Sequence, residues 1–344
     1  MARWSRLRVP LWLLWACLCA VPPARGVVPA PDSVAAPAPD SAVAGAVGPA
    51  GAAPDTSALR LVPVQTLGGT RDERTALVEP SGVASDAFGR LYVTDAAQHR
   101  LVRLDARGVW LGEAGTLGSG PGDLRRPAGV TAVGSLGVAI LDRENQRLVL
   151  YDLFGRLAGV LTDLAALGEQ LGRVDPVALA ADRGGAVYVA DADRDRVLVL
   201  DFSGRYVRTL GGYGAGGGSF RGLAGLAVGP RGELVTAERA GGRVQRLEAG
   251  GHMLASWPLK AGPRRGRLPV AVDDSSRVAV ADETTGRLWL FDGAGRLLAA
   301  LSDLAGPRAL AFAPDGSLLV AESTAGRVRR FALAAAGTPA PPGR

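Results

Sequence analysis

Apolar residues in this chain come in short runs separated by tight polar loops, and one unit of that pattern recurs six times. Its clearest copy is Val187–Asp201, VYVADADRDRVLVLD: an apolar strand, an acid, four loop residues, an arginine and a second apolar strand. Acid and arginine stand five apart each time, as Asp95/Arg100, Asp142/Arg147, Asp191/Arg196, Glu238/Arg243, Asp282/Arg287 and Glu322/Arg327. Five residues beyond the arginine a further acid follows in five units, at Asp105, Asp152, Asp201, Glu248 and Asp292; Ala332 takes that place in the sixth. Alternation on both sides of a short loop predicts a β-hairpin, and a repeat of roughly 40–50 residues predicts a propeller or a solenoid.

Each unit also opens with a strand of small residues: GVAS (82–85), GVTAV (129–133), VALAA (177–181), AGLAV (224–228), VAVD (270–273) and ALAFA (309–313). A glycine turn stands 13 residues after the acid, at Gly108, Gly155, Gly204, Gly251 and Gly295, and leads into an outer strand. Four antiparallel strands per unit make a propeller blade. Small first strands suit a central channel that six copies crowd. The sixth unit, residues 307–333, supplies only three strands before the repeat ends. Its fourth is found at the other end of the repeat array: VQTLGG (64–69) differs at one position from VRTLGG (207–212), the fourth strand of unit three. The predicted fold is therefore all-β. It is a six-bladed β-propeller of four-stranded antiparallel blades over residues 59–334, closed by the N-terminal strand so that no edge of the array stays open.

Composition adds the surroundings of that domain. Seven Phe and five Tyr are too few to fill six blade interfaces, so the core has to be mostly Val, Leu and Ala. Lys260 is the single lysine among 39 basic residues, which with the Ala/Gly/Arg bias points to a GC-rich, bacterial type of coding sequence. Residues 1–26 read as an export signal: Arg3, Arg6 and Arg8, an apolar run from Val9 to Ala20, and small residues near Ala20 and Gly26. That run is shorter than the roughly 20 residues a membrane span requires. Both cysteines, Cys17 and Cys19, fall inside it, so the mature chain is expected to hold no disulfide. Leu14-Trp15-Ala16-Cys17 matches a bacterial lipobox at three of four positions, which makes Cys17 a candidate lipidation site. The signal carries four arginines and no acid, and its removal takes the formal charge from +6 to +2. Residues 27–58 are Ala/Pro-rich and read as a flexible spacer, and residues 335–344 as a disordered tail. The expected location is the periplasm, the cell surface or the medium.

The stretches GRLYVTDAAQHRLVRLDARG (89–108) and AVYVADADRDRVLVLDFSGR (186–205) resemble NHL repeats, a family of secreted and intracellular six-bladed propellers. The resemblance covers about residues 59–333. It departs from the family pattern in unit two, which has SLGVAILD where the other units have a glycine turn and a Tyr-Val strand, and in unit four, where Glu238 replaces Asp. It implies a binding or scaffold domain. For the enzymes with similar repeats (lyases acting on streptogramins or on peptidyl-hydroxyglycine, and more distantly lactonases) it implies His and carboxylates converging on the channel mouth, often with a divalent metal.

Against that pattern, His99 and His252 are the only histidines, and the strand order sets them on opposite faces. No Cys ligand, HExxH, Walker-type loop or nucleophile elbow occurs in the repeats. The acid/arginine pairs recur in every unit, so each acid reads as capping its loop and pairing with its arginine. A Ca²⁺ ion would need only oxygen ligands, but nothing in the sequence positions such a site, and no cofactor is expected. Arginines cluster in the connections between blades, at Arg125, Arg126, Arg173, Arg221, Arg264, Arg265, Arg267 and Arg308, and Arg143, Arg194 and Arg239 share their face. Acids are interspersed among them. The expectation is an anion-preferring face around the channel mouth, with Arg125, Arg126, Arg173, Arg221 and Arg308 as ligand contacts. A mature charge near +2 and an export signal argue against nucleic acid. The function expected is a monomeric, non-catalytic binding scaffold for a protein, peptide or anionic ligand. The alternative is a metal-dependent lyase or lactonase-like hydrolase.

Overall fold

The structure is a computed structural model that describes residues 59–68, 74–134, 137–262 and 266–335. The expected export signal, the Cys17 lipidation site and the spacer lie outside these residues. The first blade follows β1 (Leu59–Gly68) and comprises β2 (Pro80–Ser85), β3 (Leu91–Asp95), β4 (Arg100–Leu104) and β5 (Trp110–Ala114). The second comprises β6 (Pro127–Val133), β7 (Gly137–Asp142), β8 (Arg147–Tyr151) and β9 (Leu157–Asp163), after which comes a helix, α1 (Leu164–Leu171). The third holds β10 (Pro176–Ala181), β11 (Val187–Asp191), β12 (Arg196–Leu200) and β13 (Tyr206–Gly211). The fourth holds β14 (Leu223–Val228), β15 (Leu234–Glu238), β16 (Arg243–Leu247) and β17 (Met253–Pro258). The fifth has β18 (Val270–Val272), β19 (Val278–Asp282), β20 (Arg287–Phe291) and β21 (Leu297–Leu301), and the sixth β22 (Pro307–Phe312), β23 (Leu318–Glu322) and β24 (Arg327–Ala335).

Five blades are simple meanders, and the sixth has the order β1-β24-β23-β22. The N-terminal strand thus supplies the fourth strand of the last blade, pairing from Leu59 with Ala335 to Gly68 with Arg327. β24 runs through Ala335, one residue into the segment expected as tail, because Leu59 gives that residue a strand partner. Buried residues form a cluster between each pair of neighbouring blades, and these clusters are mostly Val, Leu and Ala. At the hub the blades converge closely. A Cβ on Gly225 would lie 1.8 Å from the Leu268 carbonyl oxygen, and one on Gly82 would lie 2.8 Å from the Val130 nitrogen in the next blade. That crowding is why the first strands are built from small residues.

The sequence gives no forewarning of α1. It fills the connection from blade two to blade three, with the Asp163 carboxylate accepting from the Ala165 and Ala166 amides as N-cap and Leu164 and Leu167 buried. No helix among the described residues is long and apolar enough to cross a membrane. Two faces result. The loop face carries the acid-bearing loops and the connections between blades. The turn face carries the hairpins between first and second and between third and fourth strands.

Candidate functional site

The repeated acids hold the loop face together. Asp95, Asp142, Asp191, Glu238, Asp282 and Glu322 are all fully buried at the ends of the second strands. Five of them accept a backbone N–H from the connection entering their own blade: Val78 and Glu79 to Asp95, Arg125 to Asp142, Asp175 to Asp191, Arg221 to Glu238 and Gly262 to Asp282. Four of the six close on the arginine five residues on, with Nε 2.8 Å from the carboxylate in Asp142/Arg147, Asp191/Arg196, Glu238/Arg243 and Glu322/Arg327.

The other two do not pair, although each acid and arginine face one another in the strand register. Asp95 spends its oxygens on the amides of Val78, Glu79, Ala97 and Gln98, while Arg100 turns to Glu113 on the neighbouring outer strand and to the Ala76 carbonyl. Asp282 is taken by Arg239 from the preceding blade at 3.0 Å, and Arg287 is exposed. Burial alone would raise the Asp282 carboxyl; bonds from Arg239, the Gly262 amide and Thr284 outweigh it and hold its pKa at about 2.

Inside this frame, charged side chains meet around the channel mouth. Glu79 is their pivot, accepting from Arg126 Nη2 at 2.7 and 3.0 Å and from Arg308 Nη1 at 2.8 Å. Arg308 Nε stands 3.7 Å from Glu283, and Arg143 pairs with Asp175 at 3.0 Å. Arg267 lies deepest. Its Nη1 crosses the channel to the Ala128 carbonyl in blade two at 2.6 Å, whereas its Nη2 is buried with no hydrogen-bond partner among the described residues. Burial, then repulsion from Arg308 and Arg143, lowers the Arg267 pKa to about 10, which leaves it charged at neutral pH. An open cleft of about 900 Å³ lies above, lined by Arg143, Arg239, Arg267 and Arg308 with Asp175 and Glu283. Beneath it the channel narrows at Val83, Val130, Leu179, Leu226, Val270 and Leu310, one residue from each first strand.

Of the five arginines expected as ligand contacts, Arg308 lines this cleft, and Arg126 sits beside it on Glu79. Arg125 binds Glu144 at 3.1 Å farther out. Arg173 and Arg221 are exposed and do not line the cleft, and residue 221 contributes its backbone N–H to Glu238. Arg264 and Arg265 lie outside the described residues. Arg267 and Arg143 were read from the sequence as belonging to this face but not among its five ligand contacts; the sequence signal for the mouth lies in other residues. Glu79, Arg126 and Asp175 each immediately precede the proline that opens a first strand, so charges at that entry are bound to crowd the mouth. His99 Nδ1 accepts the Arg126 amide at 3.0 Å, which makes the ring a brace for the connection. His252 is exposed on the turn face beside Glu248. Among the described residues no group of three or more His, Cys, Asp or Glu is placed to hold a metal.

No protein-family model matches the chain. A stretch of 52 residues is 46% identical to RING finger protein nhl-1 of Caenorhabditis elegans; it spans 15% of this chain and 5% of that much longer protein. Among solved structures, a streptogramin B lyase aligns over 80% of this chain and 97% of its own, at 13% identity and a TM-score of 0.53. Virginiamycin B lyase from Staphylococcus aureus aligns over 80% and 99%, at 11% identity and the same TM-score. At such identities the likeness is one of fold: this chain is a six-bladed β-propeller.

Proposed function

We propose that the protein is an exported, NHL-type binding propeller that holds an anionic group of a partner or small ligand at the channel mouth. The observation that carries this reading is Arg267, a charged guanidinium deep in the channel with a buried N–H that has no partner among the described residues. Such a group costs about 1–3 kcal/mol unless something satisfies it, and an oxyanion does so best. Around it, Arg143, Arg239 and Arg308 against Asp175 and Glu283 leave the cleft lining positive. The weak likeness to an nhl-1 segment supports the repeat type, and the leader composition supports export.

A lyase or lactonase-like reading has less behind it. One histidine braces backbone, the other lies on the far face, and the likeness to lyases is one of fold. Calorimetric titration of the full chain with acetate, glutamate and inorganic phosphate tests the proposal. Binding of at least one anion is expected, weakened at least tenfold in Arg267→Met and unaffected in Arg173→Ala. Equal binding by the Arg267 variant would place the site elsewhere, and turnover that requires Ca²⁺ or Mg²⁺ would favour the enzyme.

A further inference from the structure

The four arginines that line the cleft are not equivalent. Arg239 spends its N–H groups on the Gly262, Gly266 and Arg267 carbonyls and on Asp282, so it serves the frame. Arg143 is answered by Asp175. Arg308 is answered only in part. Its Nη1 donates to Glu79, but its Nε is buried with no hydrogen-bond partner among the described residues, and Glu283 stops 3.7 Å away. Two donors of one kind, Arg308 Nε and Arg267 Nη2, are thus left over at the same place. Both residues line the open cleft and also a narrower space of about 60 Å³ beneath it, so they form the floor where one passes into the other. Two buried guanidinium donors call for two acceptor oxygens on one ligand group.

Charge and lining narrow the choice of that group. Arg239 is neutralised by Asp282 and Arg126 by Glu79, which leaves Arg143, Arg267 and Arg308 against Asp175 and Glu283, an excess of one positive charge among the described residues. A monoanion completes that balance. A dianion would set its second charge where Glu79, Asp175 and Glu283 already stand. The rest of the wall is aliphatic, made by Val177, Ala192, Leu223, Ala224, Ala240 and Ala261 with glycines between them. Among the described residues no Ser, Thr, Asn, Gln or aromatic side chain lines the cleft. The hydroxyls of a sugar acid or the amides of a peptide end would therefore meet no matching side chain, whereas a hydrocarbon body of several carbons fits the wall and the space.

We infer that the ligand is an aliphatic monocarboxylic acid, with its carboxylate on Arg267 and Arg308 and its hydrocarbon body along the apolar wall of the cleft. This rests on the reading of the mouth as an anion site and adds the kind of anion. Calorimetry of the full chain compares three six-carbon probes, hexanoate, gluconate and adipate, with acetate, N-acetylglycylglycine and inorganic phosphate beside them. Hexanoate is expected to bind at least about tenfold more tightly than each of the others, because only it joins a single charge to an apolar body. Arg308→Lys keeps the charge beside Glu79 but lacks the guanidinium Nε–H. With an unchanged melting temperature, that variant should bind hexanoate at least about fivefold more weakly. The series on the unaltered chain decides the matter whatever the stability of the variant. If any of the other five probes binds as tightly as hexanoate, or Arg308→Lys binds it undiminished, this proposal falls while the anion site stands. If no anion binds at all, both fall.

Discussion

Single residues show how far a repeated motif fixes its own contacts. The five-residue spacing sets acid and arginine across a hairpin, and this much can be read from the sequence. Whether the side chains close is decided by competitors from other strands, which spacing does not reveal: Glu113 draws Arg100 away, and Arg239 occupies Asp282. A sharp difference in stability is expected as a result. Asp191→Ala removes acceptors for two amides and strands the buried Arg196, at a cost of about 3 kcal/mol in chemical denaturation. Arg287→Ala, at an exposed position whose register partner Asp282 is held by Arg239 instead, should stay within about 0.5 kcal/mol. Asp282 gives a pH signature. Its folded pKa of about 2 lies below an unfolded value near 4, so its contribution is complete above about pH 4 and fades as pH falls toward 2. Asp282→Asn should therefore lose on the order of 2 kcal/mol at pH 7 and nearly nothing at pH 2, measured as midpoints across that range.

At the scale of strands, legibility followed local patterning. Four strands per blade, the small first strands and the borrowed terminal strand were all readable, because each leaves a periodic or duplicated signature. α1 was not, since LAALGEQL is too short to show a helical period and only Asp163 marks its start. The closing strand is expected to matter most. Leu67 is buried in the cluster between blades six and one, and Leu59 and Leu61 pack on the one between blades five and six. A chain beginning at Arg71 should melt at least about 10 °C lower, since several kcal/mol of burial go and the outer edge of β24 opens. An unchanged melting temperature would show that the ring holds without β1.

For the molecule as a whole, the blades act as spacers that bring residues distant in sequence to one mouth. Glu79 and Arg308, joined at 2.8 Å, come from the first and last blades, and Arg267 reaches blade two from blade five. No linear reading singles out such a cluster, which is why Arg267 was passed over in favour of Arg173 and Arg221. Arg308→Glu would set a third carboxylate beside Glu79 and Glu283. Anion affinity should then fall at least tenfold, and the residual binding should lose most of its salt dependence in titrations at low and high ionic strength. The pairing of Leu59 with Ala335 also constrains how the protein comes into being. Its first described residue waits for its last, so the final blade cannot form until the entire repeat array has left the ribosome. Loop closure on that scale is slow, and a newly made chain therefore remains open, and threadable through a translocation pore, for longer than a protein built from local contacts would.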